Sequence, residues 1–265
     1  MKEIENILKK LLFKCLSFSQ YLTLISRSYF LLYRMNFLKN NSSFKYHYFL
    51  KNVINKGDTV IDIGANLGYF SIPFSQWVGK EGVVYSVEPL TQMREVFKKN
   101  IGTRKNITIL PYALGNENKK IIMGNNTRID NEIIATGSHF VLEENATAID
   151  EFSAEMRKGS ELFNNLEKLN FIKCDIEGYE NVVIPEIKKI IIEHKPLMLI
   201  ETKREKRVFL LDFLLDIGFY GFVLEDKELH LVSDIKGNKE DDILFIHENK
   251  LDVFTHIITK KTTNI

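Results

Sequence analysis

The stretch Thr59–Tyr69, TVIDIGANLGY, constrains this 265-residue chain more than any other. An apolar run of Val60, Ile61 and Ile63 stops at Gly64, and an amphipathic pattern begins just after Gly68. Strand, glycine turn and first helical turn make the unit that brings backbone amides close to a nucleotide-like ligand. Without a Cβ, Gly64 and Gly68 allow close approach and φ values that other residues avoid. Asp62 ends the strand with a carboxylate directed at the turn, and a second apolar strand, Val83–Val87, ends in Glu88. An acid about 20 positions beyond the glycine turn suits a ribose diol, because a carboxylate accepts two hydroxyl hydrogen bonds.

Glycine spacing selects among nucleoside cofactors. Dinucleotide enzymes carry G-x-G-x-x-G, whose second glycine seats the pyrophosphate on the helix N-terminus. Here the turn is G-x-x-x-G with Asp62 two residues ahead. A carboxylate at that place repels a pyrophosphate and attracts a cation. S-adenosylmethionine has a sulfonium, an α-ammonium and no phosphate, so it is the expected cofactor. NAD and an unliganded βαβ unit are the alternatives. Asp62, Gly64, Asn66, Gly68 and Glu88 form the expected cofactor-binding set. Each acid also has a plainer reading: Asp62 as the orienter of the turn, Glu88 as a helix-start charge.

At these residues the chain resembles the FkbM-type methyltransferases, a family of S-adenosylmethionine-dependent O-methyltransferases. The likeness rests on DIGANLGYFS (Asp62–Ser71), VEP (Val87–Pro89), ALGN (Ala113–Asn116), ATAIDEF (Ala146–Phe152) and FIKCDIEGYE (Phe171–Glu180). PLMLIET (Pro196–Thr202) and Gly218–Phe222 extend it, in the same order, over most of the chain from Phe49 to Asn249. The resemblance implies a class I methyltransferase fold. That is a doubly wound, Rossmann-like α/β sheet, mostly parallel with one antiparallel strand. It also implies that the third strand ends near the adenine, which adds Tyr112 and Ala113 to the cofactor set. Asp150, in the same pattern, ends a short strand before a helix.

The chain taken in order supports an α/β reading by itself. Expected strands at Thr59–Ile63, Val83–Val87, Ile107–Leu110, Phe171–Cys174 and Leu197–Ile200 alternate with helices at Leu67–Val78, Pro89–Asn100, Ser160–Leu169, Asn181–Glu193 and Lys203–Ile217. Phe219–Leu224 and Ile243–Ile246 are the last two strands, with a small piece at Leu229–Val232. Such alternation predicts a doubly wound sheet. Residues 116–145 read as an inserted hairpin beside the substrate opening.

Charge is unevenly spread. Residues 1–51 hold nine Lys/Arg against two Asp/Glu, while the whole chain is only +1. A basic, aromatic-rich helical extension (1–51) therefore joins a mildly acidic methyltransferase domain (52–265). The small net charge gives no reason to expect nucleic-acid binding. Ile4, Ile7, Leu8, Leu11 and Leu12 recur at helical spacing in the extension. Two readings follow: peripheral contact of residues 1–45 with an anionic membrane at its inner face, or a helical piece that caps the sheet or makes a homodimer contact. MKEIENILKK is a poor signal peptide. The twelve-residue uncharged run Cys15–Ser26 is too short to span a bilayer. Cys15 and Cys174 make no disulfide framework, so a reducing, cytoplasmic setting is expected.

In an open α/β sheet the ligand lies over the C-terminal strand edge, where Asp62, Glu88 and Asp175 should converge. Asp175 is placed to orient an acceptor or take its proton, with Glu177 close by. His139, in a Gly-Ser-His loop, offers an imidazole able to accept a hydroxyl proton near neutral pH. Asp175, Glu177 and His139 are thus the expected catalytic residues. Asp175 and Glu177 are hard donors of the kind Mg²⁺ takes. Acid pairs beside a substrate more often bind hydroxyls, so no metal is assigned. No Asn/Asp-Pro-Pro-Tyr segment follows the fourth strand, which favours oxygen over nitrogen as the methyl acceptor. The family resemblance adds a sugar, glycan or glycolipid hydroxyl as the acceptor. An NAD-linked oxidoreductase and a catalytically inert partner protein are the rival functions.

Overall fold

The computed structural model describes residues 12, 15–126, 128, 129, 132, 133, 139–142, 146–232 and 240–259. The first helix with both ends among the described residues is α1 (Phe18–Arg34), opened by a capping box in which the Ser17 hydroxyl accepts from the Gln20 amide. After α2 (Lys45–Leu50) come β1 (Thr59–Ile63), α3 (Ser71–Val78), β2 (Val83–Val87), α4 (Thr91–Ile101) and β3 (Ile107–Leu110). Five short strands follow: β4 (Ala113–Gly115), β5 (Lys119–Asn125), β6 (Arg128–Ile129), β7 (Glu132–Ile133) and β8 (His139–Val141). Beyond them lie β9 (Asp150–Lys158), β10 (Phe171–Cys174), β11 (Leu197–Glu201), β12 (Phe219–Glu225), β13 (Glu228–Leu231) and β14 (Asp242–His247).

Eight strands make the central sheet, in the order β13-β12-β14-β11-β10-β1-β2-β3. Pairings from β11 through β3 are parallel, whereas β14 is antiparallel to both β11 and β12. β13 also pairs antiparallel with β12, so two strands run against the rest, not one. All five residues of β1 are buried because both sheet faces are covered. Ile61, Ile63 and Ile172 pack on one side with Val183, Ile187 and Ile191. Val60, Val84 and Phe171 pack on the other with Phe74, Val78, Tyr46 and Leu50.

Several local expectations are corrected. The first helix of the body starts at Ser71, since Gly64–Tyr69 is used up by the turn. Only Gly159–Leu162 of the helix expected over Ser160–Leu169 is helical. Asp150 begins a nine-residue strand, Asp150–Lys158, where a short strand was expected to end. Its partner β5 lies antiparallel to it, giving a second sheet β4-β9-β5-β8 where a lone hairpin was expected. Gly115 leaves room for the buried Met156 of β9, since a Cβ there would meet its Sδ.

Residues of the N-terminal stretch belong to the core. Tyr21 and Leu22 pack with Leu67, Leu90, Met93 and Val96. The Tyr46 hydroxyl donates to the Asp242 carbonyl and accepts from the Leu224 amide, both at 3.1 Å. Ile4, Ile7, Leu8 and Leu11 lie outside the described residues.

Candidate active site

Strand register brings the site together. Asp62 on β1 pairs with Ser86 on β2 and with Lys173 on β10, so three polar side chains share one row of an apolar sheet. All three are buried, Asp62 with no exposure at all. The Ser71 hydroxyl donates to Asp62 Oδ2 at 2.5 Å and lies 2.7 Å from Ser86 Oγ. Lys173 Nζ donates to Asp175 Oδ2 at 2.8 Å and lies 5.1 Å from the Phe70 ring centre. Burial pushes the Lys173 ammonium down, but the Asp175 and Asp62 carboxylates outweigh it and hold it above its usual value. Burial also pushes Asp62 up, opposed by Lys173 and Ser71.

The two glycines have separate reasons. At Gly64 (φ +81°) a Cβ would lie 1.9 Å from the Asp175 carbonyl, so the ends of β1 and β10 touch only because it is absent. At Gly68 (φ +88°) a Cβ would lie 2.4 Å from the Phe97 ring. Gly64 lines a cavity beside this turn; Gly68 is not among its lining residues and makes room for Phe97.

That cavity, of about 450 Å³, opens over the C-terminal strand edge. It brings together Asp62, Gly64, Asn66, Glu88, Tyr112, Ala113, His139, Asp175 and Glu177 from the sequence reading. Glu88 Oε2 accepts from the Asn66 amide and Oε1 from the Leu90 amide, each at 2.9 Å. Asn66 reaches this geometry with φ at 51°. Burial pushes the Glu88 carboxyl up to about 7, against the pull of those two amides and Arg94. Tyr112 lies under the Arg157 guanidinium, 5.6 Å from ring centre to carbon.

Across the cavity, Glu180 Oε1 accepts from the Ile176 and Gly178 amides and pins the turn that carries Asp175 and Glu177. Burial raises Asp175, yet Lys173, a hydrogen bond with Glu201 and Lys203 outweigh it, so the carboxyl titrates below its usual range. Glu201 is pushed the other way, up to about 9, by burial and by the Asp175 charge. The two adjacent carboxyl groups are thus driven apart, Asp175 toward its ionised form and Glu201 toward its protonated form. Oxygens of Asp175, Glu177 and Glu201 all lie within 4.8 Å of one another, close enough for a hard cation. Lys173 and Lys203 already supply positive charge there, Lys203 Nζ lying 3.1 Å from Glu177 Oε2.

His139 sits on strand β8, not in a loop, and its Nε2 is 3.2 Å from Asn125 Nδ2. Burial lowers it to about 4, so it is a neutral imidazole at pH 7. The preceding residues 134–138 lie outside the described residues.

Three residues escaped the sequence reading. Lys173 was legible as a cation inside an apolar four-residue strand, a position that demands a buried partner. Glu201 ends the fifth strand, where the strand-end rule applied to Asp62, Glu88 and Asp175 would have found it. His47 carried no local signal. It lines the cavity, stacks on Phe70 at 3.7 Å, and is lowered to about 3 by burial and by Lys173.

A family model described as the methyltransferase FkbM domain matches residues 62–222, more than half of the chain. The chain belongs to this family. That family is described as a methyltransferase domain, which favours S-adenosylmethionine over NAD as the ligand of the site. Among curated proteins, an Archaeoglobus fulgidus protein-L-isoaspartate O-methyltransferase 1 is 34% identical over 27% of this chain and 28% of its own length. A probable cobalt-precorrin-6B C(15)-methyltransferase (decarboxylating) from Saccharolobus solfataricus is 26% identical over 46% of this chain and 66% of its own length. The chain thus matches less than two thirds of either relative. The crystal structure of a methyltransferase FkbM from Methylobacillus flagellatus KT aligns with a TM-score of 0.47 and 17% identity, covering 72% of this chain and 43% of that one.

The residues of this FkbM-domain site fit the donor. Asp62 Oδ1 is buried with no hydrogen-bond partner among the described residues, a carboxylate atom suited to a cationic group. Each Glu88 oxygen uses one lone pair on a backbone amide and keeps another for a hydroxyl.

Proposed function

We propose that the protein is an S-adenosylmethionine-dependent O-methyltransferase acting on a hydroxyl of a sugar, glycan or glycolipid. The supporting observation is the Lys173–Asp175 pair at the cavity wall, with Glu177 beside it and Asp62 one strand away. When bound, S-adenosylmethionine supplies a methyl group already activated on a sulfonium. Glu88 accepts the ribose hydroxyls, Asp62 faces the cationic end, and Tyr112 and Ala113 border the adenine. Asp175 accepts a hydrogen bond from the acceptor hydroxyl and aligns its oxygen, while Glu177 accepts from a second hydroxyl of a polyol. A carboxylate held low by Lys173 is a weak base. It would suffice, because the acceptor hydroxyl would become strongly acidic as the S–CH₃ bond breaks to leave the neutral thioether and its oxygen takes the methyl, so that its proton could pass to Asp175. Alignment of this kind contributes about 7–11 kcal/mol in favourable systems. His139 borders the same space and stays uncharged. The unpaired Cys15 and Cys174 support a reducing, cytoplasmic setting.

Titration calorimetry with S-adenosylhomocysteine, followed by methyl transfer to a panel of sugar and lipid-linked sugar hydroxyls, tests this reading. Micromolar product-analogue binding with transfer to a polyol is the expected result. Binding without transfer to any hydroxyl acceptor would favour another acceptor atom, and no binding at all the inert partner.

A further inference from the structure

Outside the catalytic cavity, α1 carries a second feature on its opposite side. A groove of about 580 Å³ runs between this helix and the helices α3 and α4. Arg27, Arg34, Lys51, Lys99 and Arg104 line it, and no Asp or Glu does. No carboxylate pairs with any of these five among the described residues. Beside the groove, Leu24, Leu31, Leu32 and Met35 form an exposed stripe at helical spacing, and Phe37 just past the helix is 67% exposed. A folded chain buries large apolar side chains where it can, so an exposed stripe rimmed by unpaired cations marks an interaction surface.

We propose that this face docks on an anionic lipid membrane, with lipid phosphates in the groove and Leu31, Met35 and Phe37 in the acyl boundary. The pattern of an apolar stripe flanked by Arg and Lys is that of an in-plane interfacial helix. A second copy of the chain is disfavoured, since a shared face would bring like cations together. Single-stranded nucleic acid would use the cations but leave the apolar stripe in water. No described helix is long and apolar enough to cross a bilayer, so the contact is peripheral. Tyr29 of the same helix lines the catalytic cavity. A docked α1 therefore sets the cavity about one helix diameter, roughly 10 Å, from the lipid surface. Resting on the hydroxyl-transfer reading, this geometry selects a lipid-linked acceptor over a free sugar.

The test is co-sedimentation of the full chain with phosphatidylcholine vesicles, with and without phosphatidylglycerol. Binding is expected only to the anionic vesicles, and high salt should release it as the screening length shrinks from about 10 Å at 0.1 M to about 3 Å at 1 M. Arg34→Gln with Arg104→Gln should weaken partitioning roughly five-fold per cation removed. Phe37→Ser should weaken it independently, at unchanged affinity for S-adenosylhomocysteine. Equal binding to neutral vesicles, indifference to these substitutions, or no sedimentation would overturn the proposal. So would a dimer in sedimentation velocity that the same substitutions dissociate, or RNA binding without vesicle binding. Lost vesicle binding with intact product-analogue binding would leave the catalytic reading standing.

Discussion

Lys173 sits between Asp62 and Asp175 in the middle of a sheet otherwise built from apolar side chains. Removing one partner of a buried charge set leaves the others without compensation. Lys173→Met should therefore cost about 3 kcal/mol, near the low end for buried pairs because Asp175 is partly exposed; a thermal melt reads it directly. Asp175→Asn is isosteric and leaves Lys173 with Asp62 as its counter-charge, so at some cost in stability it should still bind S-adenosylhomocysteine while losing about 10²–10⁴-fold in turnover. Near-normal turnover would remove Asp175 from the proton path. Glu88 gives a pH prediction. Its carboxyl is raised from the usual 4.5 to about 7. Between those values the unfolded chain sheds the proton and the folded chain keeps it, so this group makes the fold less stable as pH rises through that window. Ribose hydroxyls donate to the ionised form, so product-analogue affinity should rise about ten-fold from pH 6 to pH 8. In Glu88→Gln that slope should vanish, and calorimetry at the two pH values decides it.

At the scale of elements, the glycine turn is a packing device as much as a ligand cradle. Gly68→Ala should strain twice, through the Phe97 ring and through a left-handed φ that costs an Ala roughly 1–2 kcal/mol. Phe97→Leu in the same chain should relieve the first penalty and not the second, which denaturant titration of the two variants can separate. The second sheet follows a related logic. Strand β9 alternates half-buried and exposed residues along most of its length, so Phe152, Ala154 and Met156 pack on one face with Tyr21, Leu67 and Met93 while the other face meets water. Its partner β5 delivers Met123, and β8 on the far side of β5 delivers His139, to the cavity. An inserted hairpin alone, being marginal in water, would not hold those side chains in place.

For the molecule as a whole, the N-terminal segment is inseparable from the catalytic body. Tyr21, Leu22, Tyr46 and Leu50 are each 3% exposed or less. Burial of such side chains is worth about 1.5–3 kcal/mol apiece, which together rivals the about 5–15 kcal/mol of a typical domain. Deleting residues through Leu50 should thus abolish cooperative unfolding, and a retained sharp transition in calorimetric melting would refute it. Membrane contact must accordingly be tested by surface substitution and not by truncation. Whole-enzyme chemistry also bears on the carboxylate cluster. With Lys173 and Lys203 as its cations, turnover should be unaffected by EDTA, and restoration by Mg²⁺ after chelation would assign it a metal.

What the sequence determined by itself was local: a glycine turn after an apolar strand, acids at strand ends, and an alternation of strands and helices that predicts a doubly wound sheet. Those signals, with the alternation of strands and helices, located Asp62, Gly64, Glu88 and Asp175, because turn conformation and strand ends are written in short windows of chain. Tertiary structure alone decided the rest. The Ser86–Asp62–Lys173 row depends on register between strands more than 20 and more than 100 residues apart. His47 enters the cavity only because α2 folds back onto Phe70. Asp150 extends, where a helix was expected, because β5 offers it a partner. Pairing across such separations is fixed by burial and hydrogen bonding in three dimensions, and no neighbouring residues encode it.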